Sequence, residues 1–250
     1  MNDSDISLTG RTALVTGAAR RIGRAMAMAL AAQGAAVVVH HNRSGEEAAA
    51  LCDEICRKGG GAWPLQGDLA DEGQAKRLFC DAVARGGPID ILINNASLYE
   101  RDTLREATEE SILLNLRLHA LAPLTLGREM AGQGRTGHIV NLLDTRVTVY
   151  DKEHASYHIS KRVLLTLTRM LALELAPRIA VNAIAPGLIL PPAGEDESYL
   201  HRLAHSNPLH RHGAPQDIVD AMLFLVRSRF VTGQILYIDG GYHMKGHMYD

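Results

Sequence analysis

Aromatic side chains are scarce in this sequence. One Trp, seven Tyr and three Phe make up 4% of 250 residues, so the core must come mainly from Ala, Leu, Val and Ile within an apolar share of 46%. Cysteine is scarcer still. Cys52, Cys56 and Cys80 are too few and odd in number for a disulfide framework, which suits a reducing cytoplasm. Charge of one sign is also missing. Twenty-six Lys and Arg stand against 28 Asp and Glu, a net charge of −2, without the basic excess of a nucleic-acid binder. Long hydrophobic runs are absent. The most apolar stretch, Ala25–Val39, falls short of the ~18 residues of a membrane span and is broken at Gln33-Gly34. The opening MNDSDISL has acids and no basic region of a signal peptide. These absences exclude nucleic-acid and membrane partners and leave a small-molecule substrate.

What is present is a rhythm of short β-branched runs and longer helical patterns, fitting one domain over residues 1–250. Strands are expected at Thr12–Thr16, Ala36–His40, Ala62–Gln66, Ile89–Ile93, His138–Leu143, Ile179–Ala185 and Gln234–Ile238. Helices are expected at Arg21–Gln33, Gly45–Lys58, Asp71–Arg85, Thr103–Met130 and Ala155–Ala176, with more before the last strand. Apolar strands alternating with helices predict an α/β, doubly wound parallel sheet of about seven strands, with ligands outside the strands' carboxyl ends. Pro191–His212 is the least regular segment and reads either as a mobile flap or as a solvated loop.

The residues that follow the strands carry the chemistry. After the first comes Gly17-Ala18-Ala19-Arg20-Arg21-Ile22-Gly23, leading into a helix whose free N–H groups suit a pyrophosphate. After the second comes His40-His41-Asn42-Arg43-Ser44, with no carboxylate before Glu46 where an NAD site would place an acid. Arg43, with Arg20 or Arg21 reaching across from the glycine turn, fits a 2′-phosphate, so NADPH is the expected cofactor. Asp68, followed by Leu69, offers a carboxylate to the adenine amino group, and either Asn94 or Asn95, with Ala96, lines the cofactor's path.

Tyr157 and Lys161 are four apart and share one face of a helix. An ordinary tyrosine, with a pKa near 10, is a poor acid–base group at neutral pH. An ammonium one turn away is expected to lower that value and could also hold the nicotinamide ribose.

Taken together, the glycine turn, Asn94-Asn95-Ala96, Tyr157-x-x-x-Lys161, Pro186-Gly187 and Asp239-Gly240-Gly241 resemble the short-chain dehydrogenase/reductase family over residues 9–242. That resemblance implies a Rossmann-type fold, a homotetramer, and Asn115 as the residue that places a water in the proton relay to Lys161. The family's serine, 13 residues before the tyrosine, is Asp144 here. Arg21, His40-x-x-Arg43-Ser44, Ser97 and Asp144 are similar to pteridine reductases and dihydromonapterin reductases, also called alternative dihydrofolate reductases. Tyr99 would then be the aromatic that stacks on the pterin, and Arg21 and Ser97 would hold the cofactor phosphates and the pterin's polar edge. Asp144 would accept from the donor-rich edge of the pterin and pair with Tyr157; the alternative is that Thr145 supplies a hydroxyl.

Three functions follow: an NADPH-dependent pterin or folate reductase, a carbonyl reductase for 3-oxoacyl thioesters, sugars or ketones, and a non-enzymatic NADPH-binding protein. No metal is expected. His201 and His205, with His210 and His212 after them, have helical spacing but lack the glutamate of HExxH. Cys52 and Cys56 read as packing residues. The tail His243–Asp250 reads as a subunit contact or an irregular end.

Overall fold

Runs of Val, Ile, Leu and Ala become strands buried on both faces. The computed structural model describes residues 7–150, 152–192 and 194–245. The opening six residues and the end of the tail, 246–250, lie outside the described residues, as do Asp151 and Ala193. Seven parallel strands form one sheet: β1 Thr12–Val15, β2 Ala36–His41, β3 Ala62–Gln66, β4 Ile89–Asn94, β5 Gly137–Leu142, β6 Ile179–Pro186 and β7 Ile235–Ile238. Their order is β3-β2-β1-β4-β5-β6-β7, the doubly wound arrangement expected, in a single domain. Val15 pairs with Val39 of β2 on one side and Ile93 of β4 on the other. Chain order reverses between those two partners, which opens a crevice beyond the carboxyl end of β1. Pro64 cannot donate to a ladder and lies in β3, an edge strand, where that loss is tolerated.

Alternating strand positions feed two apolar layers. Ala13, Val15, Val37 and Val39 pack with α1 (Arg21–Ala32), α2 (Gly45–Arg57) and α8 (Pro215–Arg227). Leu14, Val38 and Leu92 face α3 (Glu72–Gly86), α5 (Ala122–Gly132) and α6 (Ala155–Glu174) on the other side. Among the described residues, no helix is long and apolar enough to cross a membrane.

Two helical expectations are corrected. The helix expected over Thr103–Met130 starts only at Glu109, where the Thr108 side chain accepts from Ser111 N at 3.1 Å in a capping box. It runs as α4 (Glu109–Leu116), loosens into a π turn at Arg117–Leu121, and resumes as α5. Pro123 has no N–H for the carbonyl of His119 four residues earlier, which accounts for the loosened turn. Within the irregular segment, Asp196 caps a short helix, α7 (Glu197–Leu203), accepting from Ser198 N at 2.9 Å. Seven residues are too few for apolar periodicity to mark it in the sequence.

His40 ties the carboxyl ends together. Its Nδ1 accepts from Gly17 N at 3.0 Å, and Nε2–H donates to Gly67 O at 3.0 Å, joining the glycine turn to the end of β3. The ring is 2% exposed, and burial lowers its pKa to about 4. Between pH 6.5 and 4 the unfolded chain therefore binds a proton that the folded one refuses, and stability falls as pH falls, by about 1.4 kcal/mol per pH unit from this group. His40→Asn is expected to melt at a lower temperature at pH 7. It should also lose less of its melting temperature than the parent between pH 6.5 and 4.5, which thermal melts across that range measure.

Candidate active site

The glycine turn is lashed to β4 from below. Thr16 Oγ1 accepts from Asn95 N at 2.9 Å and Ala96 N at 3.0 Å. Asn95 Nδ2 donates to Thr16 O at 2.9 Å and Gly17 O at 3.0 Å. Asn94 instead turns inward to Asn141, which settles which asparagine faces the crevice. Gly17 has φ +61°, and a Cβ there would lie 2.9 Å from Ala96 Cα; one on Gly23 would lie 2.6 Å from Asn95 Nδ2. Arg20, the N-cap of α1, makes no side-chain cap bond, and no acid stands in the first turn. The N–H groups at this helix start thus remain available to an anion, as a dinucleotide's pyrophosphate requires.

At the end of β2, Asn42 and Arg43 are exposed, and Ser44 holds the N-cap position of α2 with no side-chain cap bond. Arg20 reaches this end and ion-pairs with Glu47. Arg21 does not. Its backbone is left-handed, φ +56°, and its Nη2 donates to Pro191 O at 2.7 Å at the other end of the crevice. The expectation that Arg21 meets the 2′-phosphate is corrected accordingly. His40 is a buried clamp rather than a surface that meets cofactor, and Leu69 is packed in the core at 4% exposure. Asp68 Oδ1 accepts from Ala70 N at 3.0 Å, and its own N–H donates to Gln74.

The crevice opens into a cleft of about 780 Å³ that gathers Arg21, Ile22, Asn95, Ser97, Tyr99, Asp144, Tyr157, Lys161, Pro186 and Gly187. Helix α6 is aimed into it by its start. Ala155 N donates to Asp102 O at 3.0 Å after a left-handed His154 with φ +59°. Tyr157 and Lys161 are 6% and 2% exposed. The phenol donates to Asp144 Oδ2 at 3.2 Å, and Asp144 Oδ1 accepts from Arg146 N at 2.7 Å. Thr145 donates its hydroxyl to Asp239, so it is not the substitute donor. Lys161 Nζ donates to Leu142 O at 2.6 Å and lies 5.5 Å from the Tyr157 ring centre.

The electrostatics reverse one expectation. Burial first, and the Asp144 carboxylate second, push the Tyr157 phenol well above its ordinary value. Burial lowers Lys161 to about 8. Tyr157 is therefore held as a protonated phenol, a proton donor, not as a phenolate prepared by lysine. Asn115, in the last turn of α4, does not line the cleft. Its Nδ2 donates to Ser111 O at 2.9 Å, and its buried Oδ1 has no hydrogen-bond partner in the protein, as a site for an ordered water would require.

Several neighbours have no signal in the sequence. His154 stacks on Tyr99 with ring centres 3.9 Å apart, covering one face of that ring, and Arg146 Nη1 donates to the Tyr99 hydroxyl at 3.0 Å. Tyr99 also meets the Tyr157 ring edge-on at 4.9 Å. His119, in the π turn and 1% exposed, is a hub. Its Nε2 accepts from Leu98 N at 3.0 Å and lies 3.0 Å from Ser97 Oγ. Nδ1–H donates to Ser160 Oγ at 2.8 Å, and that hydroxyl donates to Tyr157 O at 2.6 Å. Burial, then Lys161, holds this imidazole neutral, well below its ordinary pKa. His119→Leu leaves the Leu98 N–H without its acceptor and removes one of the two partners of the exposed Ser97 hydroxyl, which also reaches Leu98 O at 3.3 Å. The expected result is a loss of kcat/KM of about tenfold, from about 1–3 kcal/mol for the one orphaned N–H beside the cleft, with NADPH affinity nearly unchanged in a fluorescence titration.

The comparisons with known proteins agree with this geometry. Residues 17–243 match the family model described as enoyl-(acyl carrier protein) reductase. An uncharacterised oxidoreductase of Methylorubrum extorquens is 36% identical over 244 residues, covering 94% of this chain and 98% of its own length. A 3-oxoacyl-[acyl-carrier-protein] reductase of Staphylococcus aureus is 33% identical over 245 residues, with coverage of 94% and 98%. The crystal structure of an alternative dihydrofolate reductase from Brucella canis, complexed with NADP, superposes with a TM-score of 0.92 at 35% identity, covering 98% of each chain. The open helix start, the acid-free end of β2 and the Tyr157–Lys161 pair stand in the same fold as these relatives, and the chain belongs to the short-chain dehydrogenase/reductase family of NADP-dependent oxidoreductases.

Proposed function

We propose that the chain reduces a pterin or folate, dihydro to tetrahydro form, with NADPH. One observation carries this reading: the group facing the Tyr157 hydroxyl is the Asp144 carboxylate, beside the Tyr99 ring. A carboxylate accepts hydrogen bonds and suits the amino and N–H edge of a pterin, where a ketone would call for a donor. The likeness to an alternative dihydrofolate reductase supports the same choice.

The cofactor, when bound, supplies a hydride to a C=N carbon of the substrate. Gly17, Ile22 and Gly23 admit its pyrophosphate, Arg20, Asn42, Arg43 and Ser44 hold the 2′-phosphate, and Asp68 faces the adenine. Asn95, Ala96, Pro186 and Gly187 would border the nicotinamide, and Lys161 would hold its ribose. Tyr157 delivers a proton to the adjacent ring nitrogen, and Asp144 orients both the phenol and the substrate edge. Asn115 Oδ1 holds a water on the path that returns a proton from Lys161. Arg21 and Ser97 meet the polar edge of the substrate, and the described residues of segment 191–212 act as a flap over it. We place the enzyme in the cytoplasm as a homotetramer; exposed Leu121, Leu173, Phe224 and Phe230 offer apolar surface for subunit contacts.

A second reading, reduction of a 3-oxoacyl thioester or another ketone, is favoured by the 3-oxoacyl-[acyl-carrier-protein] reductases among the relatives. NADPH oxidation across a panel of pterins, folates and ketones separates the two. Dihydropterin or dihydrofolate turnover that methotrexate inhibits competitively is expected, and high turnover confined to ketones overturns the proposal. Asp144→Ser is expected to cut pterin turnover roughly 100-fold. Tyr157→Phe is expected to abolish turnover while NADPH still binds with nearly unchanged affinity; undiminished turnover removes the phenol from the mechanism.

A further inference from the structure

We propose that Glu197, His201 and His212 bind a divalent cation of the zinc class on the segment that roofs the cleft. The sequence pairs His201 with His205; the structure pairs it otherwise. Glu197 and His201 lie four apart on one face of α7. The chain then turns back at Asn207, whose Nδ2 donates to Arg211 O at 2.9 Å, and brings His212 against the helix. The His201 and His212 ring centres are 5.3 Å apart, and one ligand atom from each of the three residues lies within 4.8 Å of the other two.

Two imidazoles and one carboxylate are a three-ligand set for zinc, with a fourth position left to water. Bonds of ~2.0–2.2 Å in a tetrahedron put ligand atoms ~3.3–3.6 Å apart, a closure that rotation of the exposed Glu197 and His201 side chains supplies. His212 is already oriented for it. Its Nδ1–H donates to Gly213 O at 2.9 Å, which fixes the tautomer and leaves Nε2 with its lone pair; backbone carbonyls commonly support metal-bound histidines in this way. Arg202, the guanidinium on the same helix, lies 4.0 Å from Glu195 and over the Tyr199 ring, and among the described residues no Lys or Arg pairs with Glu197.

The position gives such an ion a consequence. Tyr199 and Leu203 of α7, with Ser206 and Asn207, line the cleft. Gly213 N donates to Leu188 O at 2.9 Å, so the stretch that carries His212 is anchored to the chain leaving β6. A cation held by all three side chains fastens α7 to that anchored stretch and restrains the roof over the substrate.

The test uses the full chain, stripped of metal with a chelator, titrated with zinc by calorimetry and with cobalt by visible absorption. One equivalent bound, with the cobalt spectrum of a site containing imidazole ligands, is expected. His201→Asn, His212→Asn and Glu197→Gln should each weaken zinc binding tenfold or more, while His205→Asn leaves it unchanged. Zinc should raise the melting temperature of the parent, slow its NADPH oxidation, and do neither in His201→Asn. Circular dichroism checks that each variant is folded. Absence of stoichiometric binding, or equal affinity in the His201→Asn/His212→Asn double variant, overturns the proposal, as does loss of binding in His205→Asn. The binding readout stands whichever substrate the enzyme reduces.

Discussion

The two amide protons of Asn95, given to the carbonyls of Thr16 and Gly17, set the distance on which the rest of the site depends. They draw the end of β4 against the glycine turn so closely that no side chain fits on Gly17 or Gly23. Thr16 reciprocates by accepting from the two N–H groups that follow β4, and His40 closes the same turn from the side of β2. The crevice at the strand-order reversal is thereby held open by hydrogen bonds within the protein. Ser97 and Tyr99, which continue from this junction, inherit its position.

Beyond that junction the site is a problem of burying charge. Lys161 is buried with its ammonium on a backbone carbonyl, and a phenol is buried against a carboxylate. Desolvation disfavours the charged forms of Lys161 and Tyr157 alike, and in Tyr157 the neighbouring anion adds to it. The outcome is a protonated phenol, a lysine whose pKa burial lowers to about 8, and a neutral His119 behind them. The proposed reduction consumes a proton, and this arrangement has one to give.

Much of this could be read from the residues. Strand boundaries were legible because strands buried on both faces are continuous apolar runs, and the switch point followed from their alternation with helices. The cleft-lining set was legible because Asn95, Asp144, Tyr157, Lys161 and Pro186-Gly187 all follow strands or share a helix face. What the sequence concealed depends on burial and on backbone angles. Nothing adjacent to His40 reveals that its ring faces inward, nor that Arg20 and Arg21 diverge. The spacing of Tyr157 and Lys161 suggests a lowered phenol pKa, yet desolvation and Asp144 raise it. His119 and His154 belong to no motif, and α7 is too short to have a period.

Arg21 holds a backbone conformation that costs an ordinary L-residue about 1–2 kcal/mol and a glycine almost nothing. The local fold gains nothing from the larger residue, so any compensation has to come through its guanidinium. That group ends on the carbonyl of Pro191, at the root of the roof segment. The floor and the cover of the cleft are therefore joined across open space by one strained residue, and relaxing the turn would separate them.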